Sequence, residues 1–156
     1  MAIEKVIDYF TSLGAVDKIR RFDVSSATVE LAAQALGCEG ARIAKTMSFL
    51  VDGHAVLIVC AGDAKVNSAK FKAAFHTKAK MLTADQLTEL VGHAPGGVCP
   101  FAVKEGCVTY LDESLKRFDI VYPAAGDAAS AVELTVEELE RYSNSLGWVD
   151  VCAVIS

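Results

Sequence analysis

The dipeptide Asp52-Gly53 lies between two apolar runs, residues 44–51 and 54–61, and limits the possible folds more than any other feature. Asp-Gly supplies the positive φ angles that a two-residue hairpin turn needs. Residues 44–61 therefore read as an antiparallel hairpin whose second strand is buried. Helical patterns surround it. Ile3, Val6, Ile7, Phe10 and Leu13 form a stripe that Gly14 can end. Residues 28–36 place Val29, Ala32, Ala33 and Leu36 on one inward face before Gly37. Residues 67–75 begin with Asn67 as a cap. Thr83-x-x-Gln86 and Thr135-x-x-Glu138 are capping boxes, opening helices expected to run to Val91 and Leu146 and to stop at Gly92 and Gly147. Short strands are expected at 19–23, 107–112, 119–122, 131–134 and 148–155, with a polar break at 25–27 and a loop over 93–101. One clear hairpin and an irregular order of strands and helices predict a mixed α/β domain over 1–156. Its sheet or barrel would have helices around it, unlike a doubly wound parallel sheet.

The balance of residues excludes several classes. With 53% hydrophobic and 22% charged residues the chain is not disordered. Its longest apolar run, residues 55–61, is too short for a bilayer, and no signal peptide is read at the N-terminus, so a cytoplasmic protein without membrane contact is expected. The five cysteines contain no C-x-x-C and read as reduced, packed thiols. No Cys/His cluster has zinc spacing, so neither a metal nor a cofactor is expected. The net charge of −5 disfavours non-specific nucleic-acid binding. From Asp63 to Lys80, however, five lysines (65, 70, 72, 78 and 80) face one aspartate, a local +4. That segment is either a solvated face or a dock for one phosphate-rich partner.

Three groups could carry chemistry. Lys45 stands amid Ile43, Ala44, Met47 and Phe49. It lies either on the solvent side of its strand or in a cleft, where it would be a fixed cation for a phosphate or a developing oxyanion. In a regular strand Thr46 points to the opposite face. The loop Pro95-Gly96-Gly97-Val98-Cys99-Pro100 is either a surface turn or an anion-binding nest of backbone N–H groups. Cys99 with His93 is a thiol with a base six residues away, a spacing that does not secure the geometry of a nucleophile. His54 follows the hairpin turn and is expected to be exposed, and His76, among lysines, contacts either a phosphate or nothing.

The chain resembles the YbaK/EbsC family of aminoacyl-tRNA deacylases, which includes the editing domain inserted in bacterial prolyl-tRNA synthetases. The resemblance rests on Ser26-Ala27-Thr28-Val29-Glu30-Leu31-Ala32-Ala33 leading to Leu36-Gly37, and on Arg42-Ile43-Ala44-Lys45-Thr46. It continues through Ala61-Gly62-Asp63, Gly96-Gly97-Val98-Cys99-Pro100-Phe101 and Asp112-Glu113-Ser114-Leu115, and so covers nearly the whole chain. It implies a compact mixed α/β domain with a twisted sheet or open barrel. It further implies a freestanding hydrolase, without metal, that removes a small wrong amino acid from tRNA(Pro) in trans. Lys45 falls on the family's essential lysine, and Gly96 and Pro100 on its G-x-x-x-P loop. Catalysis is then expected at Lys45, Gly96 and Gly97, with substrate contacts from Phe22, Thr46, Met47, Val98, Cys99, Pro100 and Ala124. The expected partners are the acceptor end of an aminoacyl-tRNA and prolyl-tRNA synthetase, and the expected state is a monomer or weak dimer.

Two departures bear on specificity. The branch acting on Cys-tRNA(Pro) has a serine followed by glycines after a late strand. Here that loop reads Tyr122-Pro123-Ala124-Ala125-Gly126-Asp127, with alanine at the serine position. The family often has serine where Cys99 lies, which argues against a required thiol. Two alternatives are a non-catalytic module that holds tRNA ends or a synthetase, and a cysteine hydrolase centred on Cys99.

Overall fold

The Asp52-Gly53 turn forms with φ of 50° and 80°, the paired positive angles of a tight hairpin. It joins β2 (Ile43–Val51) to β3 (His54–Ala61), in register from Val51↔His54 to Ala44↔Ala61. The computed structural model describes residues 2–23 and 28–154, so the polar break at 25–27 lies outside the described residues. Strand β3 is central: Leu57, Ile58, Val59, Cys60 and Ala61 are fully buried. A strand covered on both faces must be apolar throughout, which explains its lack of alternation.

The other strands are β1 (Ile19–Arg21), β4 (Ala64–Val66), β5 (Val108–Asp112), β6 (Ile120–Pro123), β7 (Ser130–Val132), β8 (Leu134–Thr135), β9 (Trp148–Val149) and β10 (Cys152–Val154). Six form a mixed sheet, ordered β8-β6-β2-β3-β5-β9, that curls into a half-barrel. β6 runs parallel to β2, β5 parallel to β3, and β9 parallel to β5. Two antiparallel ribbons, β1–β7 and β4–β10, complete the strands.

The helices α1 (Ala2–Ser12), α2 (Val29–Leu36), α3 (Ser68–Phe75), α4 (Ala84–Gln86, continued as a π turn over Leu87–Val91) and α5 (Val136–Tyr142) follow the expected caps. Thr28 Oγ1 accepts from the Leu31 N–H, and Asn67 Oδ1 from the Lys70 N–H. Both capping boxes close. Helix α1 buries Val6 and Phe10, and Phe10 meets Phe101 edge-on at 4.9 Å. Helix α3 seats Phe71 against Phe49 at 4.8 Å.

Three local expectations are corrected, and one strand is added. Helix α5 stops at Tyr142 rather than Leu146: Asn144 takes φ 53°, and the Leu146 N–H donates to Thr109 O to start the next strand. Residues 131–134 divide between two sheets, because β7 pairs with β1 while β8 pairs with β6. Residues 148–155 likewise divide into β9 and β10, and Ile155 lies outside the described residues. Strand β4 was not expected; its three residues are too few to show a pattern.

The break between β9 and β10 has a cause in Asp112, which is 1% exposed. One carboxylate oxygen accepts from the Ser114 N–H and the other from the Val151 N–H, each at 2.9 Å. Ser114 Oγ in turn accepts from the Ala61 N–H. One carboxylate thus ties the end of β5 to the C-terminal segment. Asp112→Ala strands two buried donors and is expected to cost about 2–4 kcal/mol, a fall in Tm of roughly 5–15 °C. Asp112→Asn keeps one acceptor oxygen and loses less. A thermal melt reads both, and an unchanged Tm in the alanine variant contradicts this role.

Candidate active site

The first half of β2 forms one wall of a cavity of about 270 Å³. Ile43, Ala44, Lys45 and Thr46 all line it in succession, so the cavity wraps around the start of the strand; Ser48 follows. Helix α2 and its cap contribute Thr28, Val29 and Ala32 to the lining. Met81, Leu87, Tyr122, Ala124, Ser130 and Ala131 also line the cavity. The glycine turn contributes Pro95, Gly96 and Val98. The solvated and cleft readings of Lys45 are thereby decided: the half-buried lysine lies in a cleft that it shares with the glycine turn.

Arg42, three residues before Lys45, is structural. Its guanidinium donates to Asp119 Oδ1 and Ile120 O and lies over the Phe118 ring, strapping β2 to β6. Arg117 grips Asp63 through two hydrogen bonds. That guanidinium holds the Asp63 carboxyl below its usual range, and the more distant Lys45 adds a smaller pull. Among the described residues Lys45 forms no ion pair of its own. No carboxylate among those residues neutralises its charge by direct contact.

The turn has a defined geometry. The Gly97 N–H donates to Ala94 O at 3.1 Å, closing Ala94-Pro95-Gly96-Gly97. Proline occupies the second position and Gly96, with φ 89°, the third, which is the type II pattern. Because the Gly97 N–H is used by the turn, it is not a donor for a ligand. The N–H groups of Gly96 and Val98 make no hydrogen bond among the described residues, and both residues line the cavity. Gly97 has another use. A Cβ there would lie 2.6 Å from Asp127 Cα and 2.7 Å from Gly126 C, so its bare backbone lets the turn sit against the 126–127 segment.

Of the expected site residues, Lys45, Thr46, Gly96, Val98 and Ala124 line the cavity. The others lie elsewhere. Met47 shares the Phe49 face of β2 and packs into the main core. Phe22 is half-buried beside β7, its N–H donating to Ala129 O. Pro100 lines a second cavity of about 390 Å³ with Tyr9, Lys104 and Leu146. That cavity is larger, but its cation is engaged, since Lys104 Nζ donates to Glu89 O.

Cys99 is wholly enclosed, 3.5 Å from His93 Nε2, which also bonds Phe101 O at 2.8 Å. Burial pushes the Cys99 thiol up to about 12 and the His93 imidazole down, so both are neutral at pH 7. Cys99 does not line the cavity, and a buried neutral thiol lacks the thiolate character that a nucleophile needs. Native protein treated with iodoacetamide is expected to stay unmodified at Cys99 with its activity intact; activity lost in step with Cys99 alkylation contradicts this.

Ser48, Tyr122 and Ser130 line the cavity without having been singled out from the sequence. Ser48 was reachable, because it lies two residues beyond Thr46 on the same face. Tyr122 enters through the parallel pairing Ile43↔Tyr122 and Ser130 through a separate ribbon, and neither pairing has a local signal. Thr46 Oγ1 and Ser130 Oγ are buried without a hydrogen-bond partner among the described residues. No helix among the described residues is long and apolar enough to cross a membrane.

Comparison with known proteins bears on this geometry. The sequence profile of the aminoacyl-tRNA editing domain matches residues 24–142. An uncharacterized Bacillus subtilis protein, YwhH, is 45% identical over 97% of this chain and 98% of its own length. A proline–tRNA ligase of Staphylococcus aureus is 33% identical over 61% of this chain, a match to 17% of the ligase. The crystal structure of a candidate trans-editing enzyme for prolyl-tRNA synthetase superposes with a TM-score of 0.88 at 25% identity, over 97% of each chain. That of a hypothetical protein superposes with a TM-score of 0.84 at 26% identity, over 96% of this chain and 99% of the other.

Proposed function

The chain belongs to the aminoacyl-tRNA editing domain family, and from that premise we propose that it hydrolyses the ester of a mischarged tRNA in trans, with tRNA(Pro) carrying a small wrong amino acid as the substrate. One observation carries the reading: Lys45, which forms no ion pair among the described residues, and Gly96 and Val98, whose N–H groups make no hydrogen bond among them, line the same small cavity. The extent of the match to the candidate trans-editing enzyme supports action in trans.

An aminoacyl ester is already activated, so positioning and oxyanion stabilisation suffice. Water attacks the carbonyl carbon, and the carbonyl electron pair moves to oxygen. The N–H groups of Gly96 and Val98 receive that oxyanion, or orient the water before attack. Lys45 holds the oxyanion or the adjoining phosphate. On collapse the bond from carbon to the ribose oxygen breaks. The proton given up by the attacking water passes through the vicinal hydroxyl to the ribose oxygen, and the free amino acid leaves. Every step runs on side chains, backbone and substrate.

The tRNA body needs a grip outside the cavity, and the lysine-rich segment supports one. Lys72 and Lys78 flank a shallow surface hollow. The segment then joins β2, where the Leu50 N–H donates to Lys80 O, and the next residue, Met81, lines the cavity. The positive run thus leads to the cavity mouth, where acceptor-stem phosphates would follow.

The direct test is amino acid release from a panel of mischarged tRNA(Pro). The proposal expects multiple turnover at micromolar substrate. Tight binding of every tRNA with all esters left intact would instead identify a non-catalytic module.

A further inference from the structure

The proposed hydrolysis leaves one buried imidazole unemployed. His93 is 1% exposed and follows Gly92, which ends the π turn of α4 and opens the loop that carries the glycine turn. A backbone bond joins the two limbs of this loop at its base, from the Lys104 N–H to Val91 O at 3.0 Å. Closer to the glycine turn, no backbone hydrogen bond crosses between the limbs among the described residues. There the His93 side chain takes over, with Nε2 2.8 Å from Phe101 O. A carbonyl oxygen only accepts, so the ring is the donor and carries its proton on Nε2. Burial, aided by the charge of Lys5, disfavours a second proton, and Nδ1 is buried with no partner among the described residues. Cys99 Sγ crowds the same nitrogen at 3.5 Å and donates more weakly to Phe101 O over 3.8 Å. Phe101 is a fixed reference point, because its ring is fully buried and meets Phe10 of α1. The next residue after His93 is Ala94, whose carbonyl closes the turn with the Gly97 N–H.

Resting on the hydrolase reading above, we propose that His93 is the positioning residue of the glycine turn: the Nε2–H bond to Phe101 O holds the Gly96 and Val98 N–H groups where the oxyanion forms. His93 does not line the cavity, so it acts through the loop. Oxyanion donors work because their place is fixed before charge develops, and a displacement of about 1 Å can cost roughly a hundredfold in rate. The bond from the Gly97 N–H to Ala94 O sets the shape of the turn but not its place. The close approach of Gly97 to residues 126–127 fixes one side of the turn, and the His93 bond fixes the limb that enters it. Only the Nε2 donor is required for this role. A glutamine amide nitrogen reaches about as far as Nε2 and can donate in its place, whereas leucine fills the space without donating.

The test is steady-state deacylation by His93→Leu and His93→Gln, using the mischarged tRNA(Pro) that the unaltered protein hydrolyses fastest. Leu139→Ala, a truncation of a fully buried side chain in α5, controls for lost stability. His93→Leu is expected to lower kcat by roughly tenfold to a hundredfold with KM nearly unchanged. His93→Gln should recover most of that loss. Leu139→Ala should melt at a lower temperature yet keep its kcat while folded. An unchanged kcat in His93→Leu, equal losses in the leucine and glutamine variants, or the same loss in Leu139→Ala overturns the inference. A measurement on the unaltered protein does not depend on how the variants fold. Long-range proton–nitrogen NMR spectra of the imidazole rings should show His93 protonated at Nε2 alone at pH 7, and a proton on Nδ1 overturns the inference. Deacylation indifferent to His93 removes this inference alone, whereas no hydrolysis of any ester by the unaltered protein removes the hydrolase reading and this inference with it.

Discussion

Lys45→Ala is expected to lower kcat/KM for deacylation by roughly a hundredfold to a thousandfold, the usual loss when one charge-stabilising group leaves a site. Stability should hardly change. Lys45 forms no ion pair among the described residues, so its removal strands no buried carboxylate. Asp63 loses only the lesser of its two cationic neighbours and keeps both hydrogen bonds from Arg117. A large loss of rate at constant Tm is therefore the signature of a working cation. Lys45→Arg keeps the charge but moves it and broadens it, so partial recovery is expected. Near-normal turnover in Lys45→Ala would remove the lysine from the mechanism.

Gly97→Ala should damage both stability and rate. The added methyl would meet Asp127 Cα at 2.6 Å, Asp127 N at 2.7 Å and Gly126 C at 2.7 Å. These are backbone atoms, which cannot swing aside as a flexible side chain can. Either the turn lifts or the 126–127 segment shifts, a strain of about 1–3 kcal/mol, or roughly 2–10 °C in Tm. The same displacement moves the Gly96 and Val98 N–H groups, and a shift of 1 Å at a positioning group can cost about a hundredfold in rate. Melting and deacylation assays on one preparation read both effects. An alanine variant matching the unaltered protein in both would mean that the close approach has no functional weight.

Much of the fold was legible because its signals are local. Asp52-Gly53, the Thr-x-x-Gln and Thr-x-x-Glu boxes, Asn67 and Gly37 each act within a few residues, and each stands where expected. The failures involve long-range partners. Residues 131–134 and 148–155 look like single strands, yet each divides between two sheets. Glu133 N–H is drawn to Lys18 O and Val151 N–H to Asp112, partners far away in the chain. The cavity divides the same way. Lys45 and Gly96 could be singled out by residue type, but whether they met depended on the curl of the sheet. Some motif residues serve the scaffold: Arg42 straps β2 to β6, and Asp112 with Ser114 anchors strand ends. Cys99, the most reactive residue type in its loop, lies deepest within it, since side-chain chemistry alone does not tell a packed thiol from a poised one. The two unpaired hydroxyls had no local signal at all, because serine and threonine are ordinary strand residues until their surroundings are known.

The central claim is that the cavity between α2 and the start of β2 receives the aminoacyl end of tRNA. Amide NMR spectra recorded during titration with an adenosine that carries serine through a non-hydrolysable amide test it most directly. The account predicts saturable shifts at Ala44, Thr46, Gly96, Val98 and Ser130, with the amides around Tyr9, Lys104 and Leu146 undisturbed. Shifts confined to that second cavity, or no shifts at millimolar ligand, would contradict it.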